Sequence, residues 1–95
     1  MEIRQSTHPG EILLEEFVKP YGLTQKKLCE LLGVGIKTIS EIYNKKRGIS
    51  PLMALKLANL FGTTPDFWLN AQNAYDLYQT YEKQKSEIDK IEKIA

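Results

Sequence analysis

The chain has 95 residues, 42% of them apolar and 26% charged, enough for one modest core in one domain. No apolar run is long enough to cross a bilayer, and Met1–Ser6 lacks the apolar stretch of a signal peptide, so the chain is expected in the cytoplasm and off the membrane. One cysteine (Cys29) and one histidine (His8) exclude an intramolecular disulfide and a Cys/His metal site, and no cofactor is expected. The net charge of +1 hides an uneven distribution. Residues 25–47 hold six basic residues against two acidic; the first nineteen hold two basic against four acidic. A basic middle and an acidic flank imply faces for different partners.

Helical signals follow one another along the chain. Residues 1–8 are polar and read as a flexible segment. Pro9-Gly10 opens a first helix carrying Ile12, Leu13, Glu16 and Phe17, which Pro20 and Gly22 end. Thr24 is the expected N-cap of a second helix through Leu28, Leu31 and Leu32, with Gly33 as its stop. A third helix runs to about Asn44 and leads into the basic loop Lys45-Lys46-Arg47-Gly48. Ser50-Pro51 starts a fourth, using Leu52, Ala54, Leu55, Leu57, Ala58 and Phe61. Thr64-Pro65 starts a fifth that extends towards the C-terminus. No segment keeps period-two alternation, so the fold class is all-α, five helices with a long last one.

Residues 24–47 carry the functional reading: a helix, a short glycine-containing turn and a second helix, the spacing of a helix-turn-helix unit. At about 100° per residue, Ile39 and Ile42 form the packed face with Gly35, and Tyr43 borders it. Lys37, Ser40, Glu41 and Asn44 project from the other side, with Ile36 and Thr38 at the shoulders. Those residue types suit base edges. Lys37 can donate to guanine, Glu41 can accept from cytosine, and Ile36 and Thr38 can touch a thymine methyl; Ser40 lies in the same stripe. Gln25 is placed to donate to a phosphate beside the second helix's N-terminus. Lys26, Gly35, Asn44, Lys45, Lys46 and Arg47 are assigned to the same DNA backbone, giving affinity rather than sequence information.

These residues resemble the lambda-repressor-like (XRE) helix-turn-helix family, through Thr24-Gln25, Leu28, Leu32-Gly33-Val34, Thr38-Ile39-Ser40, Ile42 and Asn44–Arg47. Within it the chain resembles the HigA group of antitoxins at residues 7–17, 46–50 and 61–77. The resemblance implies a DNA-binding domain over residues 9–78. It also implies a dimeric repressor of its own operon on a palindromic operator, and a second task, neutralising a small RelE-like toxin that cleaves messenger RNA. Gly35-Ile36-Lys37-Thr38 stands where prolines and an arginine are common in the group, which leaves the fold intact and the operator sequence open.

Residues 79–95 form the expected C-terminal extension. Ala74, Leu77, Tyr81, Gln84, Ile88, Ile91 and Ala95 follow three- and four-residue steps, a short heptad seam. Leu77, Tyr81, Ile88 and Ile91, with Trp68, are the candidate dimer contacts; Trp68 reads as core or dimer packing rather than a ligand platform. Cys29, among leucines, reads as an inert buried thiol, and His8 as a capping or surface residue. Glu15-Glu16 reads as a solvated helix face, with an acidic toxin-binding face as the other reading. An enzyme is not expected, since no nucleophile has a matched base. A helix-turn-helix regulator without a toxin shares residues 24–47 with the antitoxin reading, so those residues do not separate the two.

Overall fold

The computed structural model describes residues 2–95 and shows helices with no strand among the described residues. Helix α1 spans Pro9–Ile12 and continues directly as a π-helical turn over Leu13–Val18; α2 is Gln25–Leu32, α3 Ile36–Tyr43, α4 Pro51–Phe61 and α5 Pro65–Asp89. The expected caps form. Thr24 Oγ1 accepts from the Lys27 amide at 3.0 Å, Ser50 Oγ from Met53 at 3.2 Å, and Thr64 Oγ1 from Phe67 at 3.2 Å. Each satisfies one orphan amide of its first turn, and Pro51 and Pro65 begin α4 and α5. Gly33 and Gly62 stop α2 and α4 at φ of 68° and 72°, where a Cβ would be strained.

The core is built from one face of each helix: Leu13, Leu28, Ile39, Ile42, Leu57 and Trp68 are fully buried. Trp68 keeps its indole N–H satisfied, donating to Thr63 Oγ1 at 2.8 Å. The structure therefore makes Trp68 a core residue, and no partner can reach it. Cys29 is buried, and burial raises its thiol pKa, which keeps it inert. Tyr43 Oη is a buried hydroxyl with no hydrogen-bond partner, and burial raises its pKa.

His8 is buried, at 2% exposure, although the sequence places it in the flexible segment. Its Nδ1 accepts from the Gly10 amide at 2.9 Å, capping α1, and its ring meets Tyr75 of α5 edge-on at 4.7 Å. The π-helical turn brings Leu13 and Val18, five residues apart, to the same buried side. In α4 the buried face is Met53, Ala54, Leu57 and Ala58; Leu52 and Leu55, expected in the core, are 63% and 57% exposed.

The heptad seam does not run through α5. Gln84 leaves helical geometry (φ −117°, ψ 17°), and the helix ends at Asp89, so Ile91 and Ala95 lie outside it. Residues 81 and 89 of a straight helix would be about 12 Å apart along the axis. The break instead brings Asp89 to Tyr81, whose hydroxyl donates to the carboxylate at 2.9 Å. Tyr81 is consequently buried within its own chain, whereas Leu77 and Ile91 are exposed and Ile88 is half-buried. Of the candidate dimer contacts, Trp68 and Tyr81 are thus occupied internally.

Candidate nucleic-acid interface

The turn between α2 and α3 is closed by the backbone. The Val34 amide donates to the Cys29 carbonyl at 3.0 Å, and Gly33 supplies the left-handed residue. Gly35 then becomes the N-cap of α3, exposed and without a side-chain capping bond. It does not join Ile39 and Ile42 on the packed face. No side chain caps the first amides of α3, which suits an anionic oxygen there.

Gln25 lies at that same edge. Its Nε2 donates to the Ile36 carbonyl at 3.4 Å, tying the start of α2 to the start of α3. Lys26 beside it is exposed. Along α3, Ile36 and Lys37 are exposed, whereas Thr38, Ser40 and Glu41 are half-buried. The order of exposure follows the helical period, because Ile39 and Ile42 are completely covered.

Electrostatics sorts the basic residues into two groups. Arg47 grips Glu41 through Nη2 at 2.8 Å and Nε at 3.2 Å, and its amide and that of Lys46 both donate to the Glu41 carbonyl. That hydrogen bond holds the Glu41 carboxyl below the usual range, helped by the charges of Arg47, Lys37 and Lys46. Glu41 is therefore not a free acceptor for cytosine: a base must compete with Arg47. Lys45 belongs elsewhere. Its φ of 62° turns the loop, and it lines a polar hollow with Gln5, His8, Tyr75 and Gln79. Its charge there, after burial, is the second cause lowering the His8 pKa, with Asp76 opposing. Asn44 folds back on its own helix: its side-chain amide and its backbone N–H both donate to the Ser40 carbonyl, at 2.9 and 3.0 Å. Lys37, Lys46 and Arg47 form the cationic cluster beside the recognition helix, while Lys45 and Asn44 serve the loop.

Sequence reasoning missed two contributors. Lys56 of α4 shares a groove with Thr38, Arg47 and Leu52, extending the basic surface past α3. The sequence of α4 held no clear signal for it, because leucines and alanines occur on every side of that helix. Gln72 of α5 holds the loop that follows the cluster. Its Oε1 accepts from the Ile49 amide at 2.8 Å, and its Nε2 donates to Asp76 at 2.9 Å. Gly48 passes so close that a Cβ there would lie 2.8 Å from Gln72 Cδ. No local sequence signal announces that contact, which spans 23 residues.

An exposed, cation-flanked second helix set across a short turn from the first defines a helix-turn-helix protein. The chain belongs to the helix-turn-helix family, whose profile matches residues 14–68. It is 42% identical over 84 residues to antitoxin HigA-1 of Vibrio cholerae, covering 88% of this chain and 79% of that relative. Among solved structures it is similar to Pseudomonas aeruginosa antitoxin HigA with the higBA promoter, at 35% identity and a TM-score of 0.89 over 96% of this chain and all of that one. Antitoxin GraA in complex with its operator matches at 38% identity and a TM-score of 0.89, covering 100% of this chain and 97% of that chain. The resemblance to the HigA group and the all-α five-helix class expected from the sequence are both borne out. No described helix is long and apolar enough to cross a membrane.

Proposed function

We propose that the protein is a sequence-specific DNA-binding repressor of its own operon and the antitoxin of a toxin–antitoxin pair. On this reading it binds a palindromic operator as a dimer and neutralises a small RelE-like, RNA-cleaving toxin. The observation that carries the DNA part is the edge formed by half-buried Gln25 and exposed Ile36 and Lys37 with the uncapped amides of α3. Lys37 and Ile36 read bases there, with Thr38 and Ser40 at the margin. Gln25, Lys26, the Gly35 amide, Lys46 and Arg47 hold phosphates. The pairing with a toxin is supported by the likeness to proteins named as antitoxins. A dimer needs apolar surface free in the single chain, and Leu52, Leu55 and Leu77 supply it.

The test is a titration of the full chain against the DNA upstream of its own gene, with and without the product of the adjacent reading frame. Tight, salt-sensitive binding modulated by that product supports the whole reading. Tight binding indifferent to it leaves a regulator without a toxin. Affinity equal to that for random DNA refutes the repressor.

A further inference from the structure

Away from α3, aromatic rings meet where the π-helical turn, the end of α4 and the start of α5 converge. Phe17 is the hub, with ring centroids 5.0 Å from Trp68, 5.1 Å from Phe61 and 5.9 Å from Phe67; Tyr21 joins Phe61 at 5.7 Å. A ring cluster that served only the core would close over itself. This one closes below and opens above: Trp68 is fully buried, Phe17 and Phe61 are half-buried, and Phe67 and Tyr21 are 42% and 66% exposed. Tyr21 rests on Phe61 and Phe67 on Phe17, and Phe17 meets Phe61, so the exposed rings belong to one aromatic surface rather than being scattered.

The segments that carry this surface are net acidic. Residues 13–21 and 61–67 hold Glu15, Glu16 and Asp66 against Lys19 alone. Lys19 is itself held by Glu15 at 2.7 Å. Three occupants can be compared on that basis. DNA is repelled by the carboxylates. A second copy of the chain docking by the same patch would bring identical carboxylates face to face, because a two-fold contact pairs each surface with itself. A basic protein meets both features, with aromatic rings to bury and carboxylates to pair.

We propose that Tyr21, Phe61, Phe67 and the edge of Phe17, with Glu15, Glu16 and Asp66 beside them, form the docking surface for a small basic protein. This rests on the antitoxin reading, and the partner is then the toxin. The surface shares no residue with α3, so substitutions in it leave the DNA-reading side chains in place.

The experiment is calorimetric titration of the full chain with the purified product of the adjacent reading frame. The variants are a Tyr21→Ala, Phe67→Ala double substitution and Glu16→Lys, each also melted and titrated with operator DNA. The double variant is expected to lose affinity for the product by about tenfold or more, as aromatic anchors do when truncated. Glu16→Lys is expected to weaken binding and flatten its salt dependence. Both should keep the affinity of the unaltered chain for operator DNA. If the double variant melts early, Glu16→Lys decides alone. Variants that bind the product as well as the unaltered chain does overturn the docking surface and leave the antitoxin standing. An unaltered chain that ignores the product overturns the antitoxin reading, and the docking surface with it.

Discussion

Gly10 is the place where a single methyl group should report on the seat of the recognition helix. A Cβ built there lies 2.1 Å from the Ile42 carbonyl oxygen, 2.9 Å from its carbon and 3.0 Å from His8 Nδ1. The ordinary carbon–heavy-atom contact is about 3.5 Å, so Gly10→Ala demands more than about 1 Å of movement between α1 and α3. The two nearest opposing atoms are backbone and cannot rotate away. Overpacking of this kind costs about 1–3 kcal/mol, and displacing the His8 cap adds about 1 kcal/mol. The better helix propensity of alanine offsets up to about 1 kcal/mol. The net cost of about 1–3 kcal/mol lowers Tm by roughly 5–20 °C in a chain of this size. Thermal unfolding followed by circular dichroism measures it, and operator titration below the transition reads the displacement of α3 as weaker binding. Gly35→Ala is the steric control, since nothing lies within 4 Å of a Cβ there and its φ is ordinary; alanine at an N-cap should cost it only about 0.5–1 kcal/mol. A Gly10→Ala protein that melts with the unaltered chain and binds DNA equally would refute the seat.

Three other outcomes are expected. Lys37→Ala should weaken operator binding by about 1–3 kcal/mol and relax preference at one base pair, measured by titration against a set of singly altered operators; unchanged preference would move the reading face elsewhere. Burial, then Lys45, lowers the His8 pKa below the ordinary 6.5, with Asp76 opposing. The unfolded chain then binds the extra proton more readily, so stability is full above about pH 6.5 and declines as pH falls below it. His8→Asn should keep a capping acceptor and flatten that part of the pH–stability curve in denaturant titrations, whereas an unaltered slope would assign it to other groups. Tyr43→Phe removes a buried hydroxyl without a partner and should stabilise the fold by up to about 1–3 kcal/mol, with a lowered Tm counting against an orphaned hydroxyl.

Much of the fold is legible in the sequence because its punctuation is local. Thr24, Ser50 and Thr64 each bond an amide three residues on, and Gly33 and Gly62 stop helices by their own φ, so a short window contains cause and effect. The side of α3 that faces out is legible for a related reason: two fully buried isoleucines three apart leave one polar stripe. Other features have their cause far along the chain. His8 is buried by Tyr75, and Lys45 parts from Lys46 and Arg47 because its φ of 62° carries it towards α5. The exposure of Leu52 and Leu55 depends on which side of α4 meets α5, and a run rich in leucine and alanine does not state that side. The seam through Gln84 failed because heptad spacing records where side chains would lie on an unbroken helix, and the backbone breaks there.

The recognition helix is held by the main chain at both ends, and this separates what the fold needs from what the operator needs. At its start, Gln25 donates to the Ile36 carbonyl and Val34 to that of Cys29. At its end, Gly10 abuts the Ile42 carbonyl, and Gln72 fixes the following loop through the Ile49 amide. On the α3 side, every one of these restraints acts on a backbone atom of the helix or its flanks. The exposed side chains of Ile36 and Lys37 take part in none of them. Such residues can be exchanged without disturbing the pose from which they read DNA, and base preference can change while stability stays constant. Glu41 is the exception, because Arg47 depends on it for position. A substitution at Glu41 alters a possible base contact and releases a guanidinium towards the phosphates at once, trading sequence preference for salt-dependent affinity.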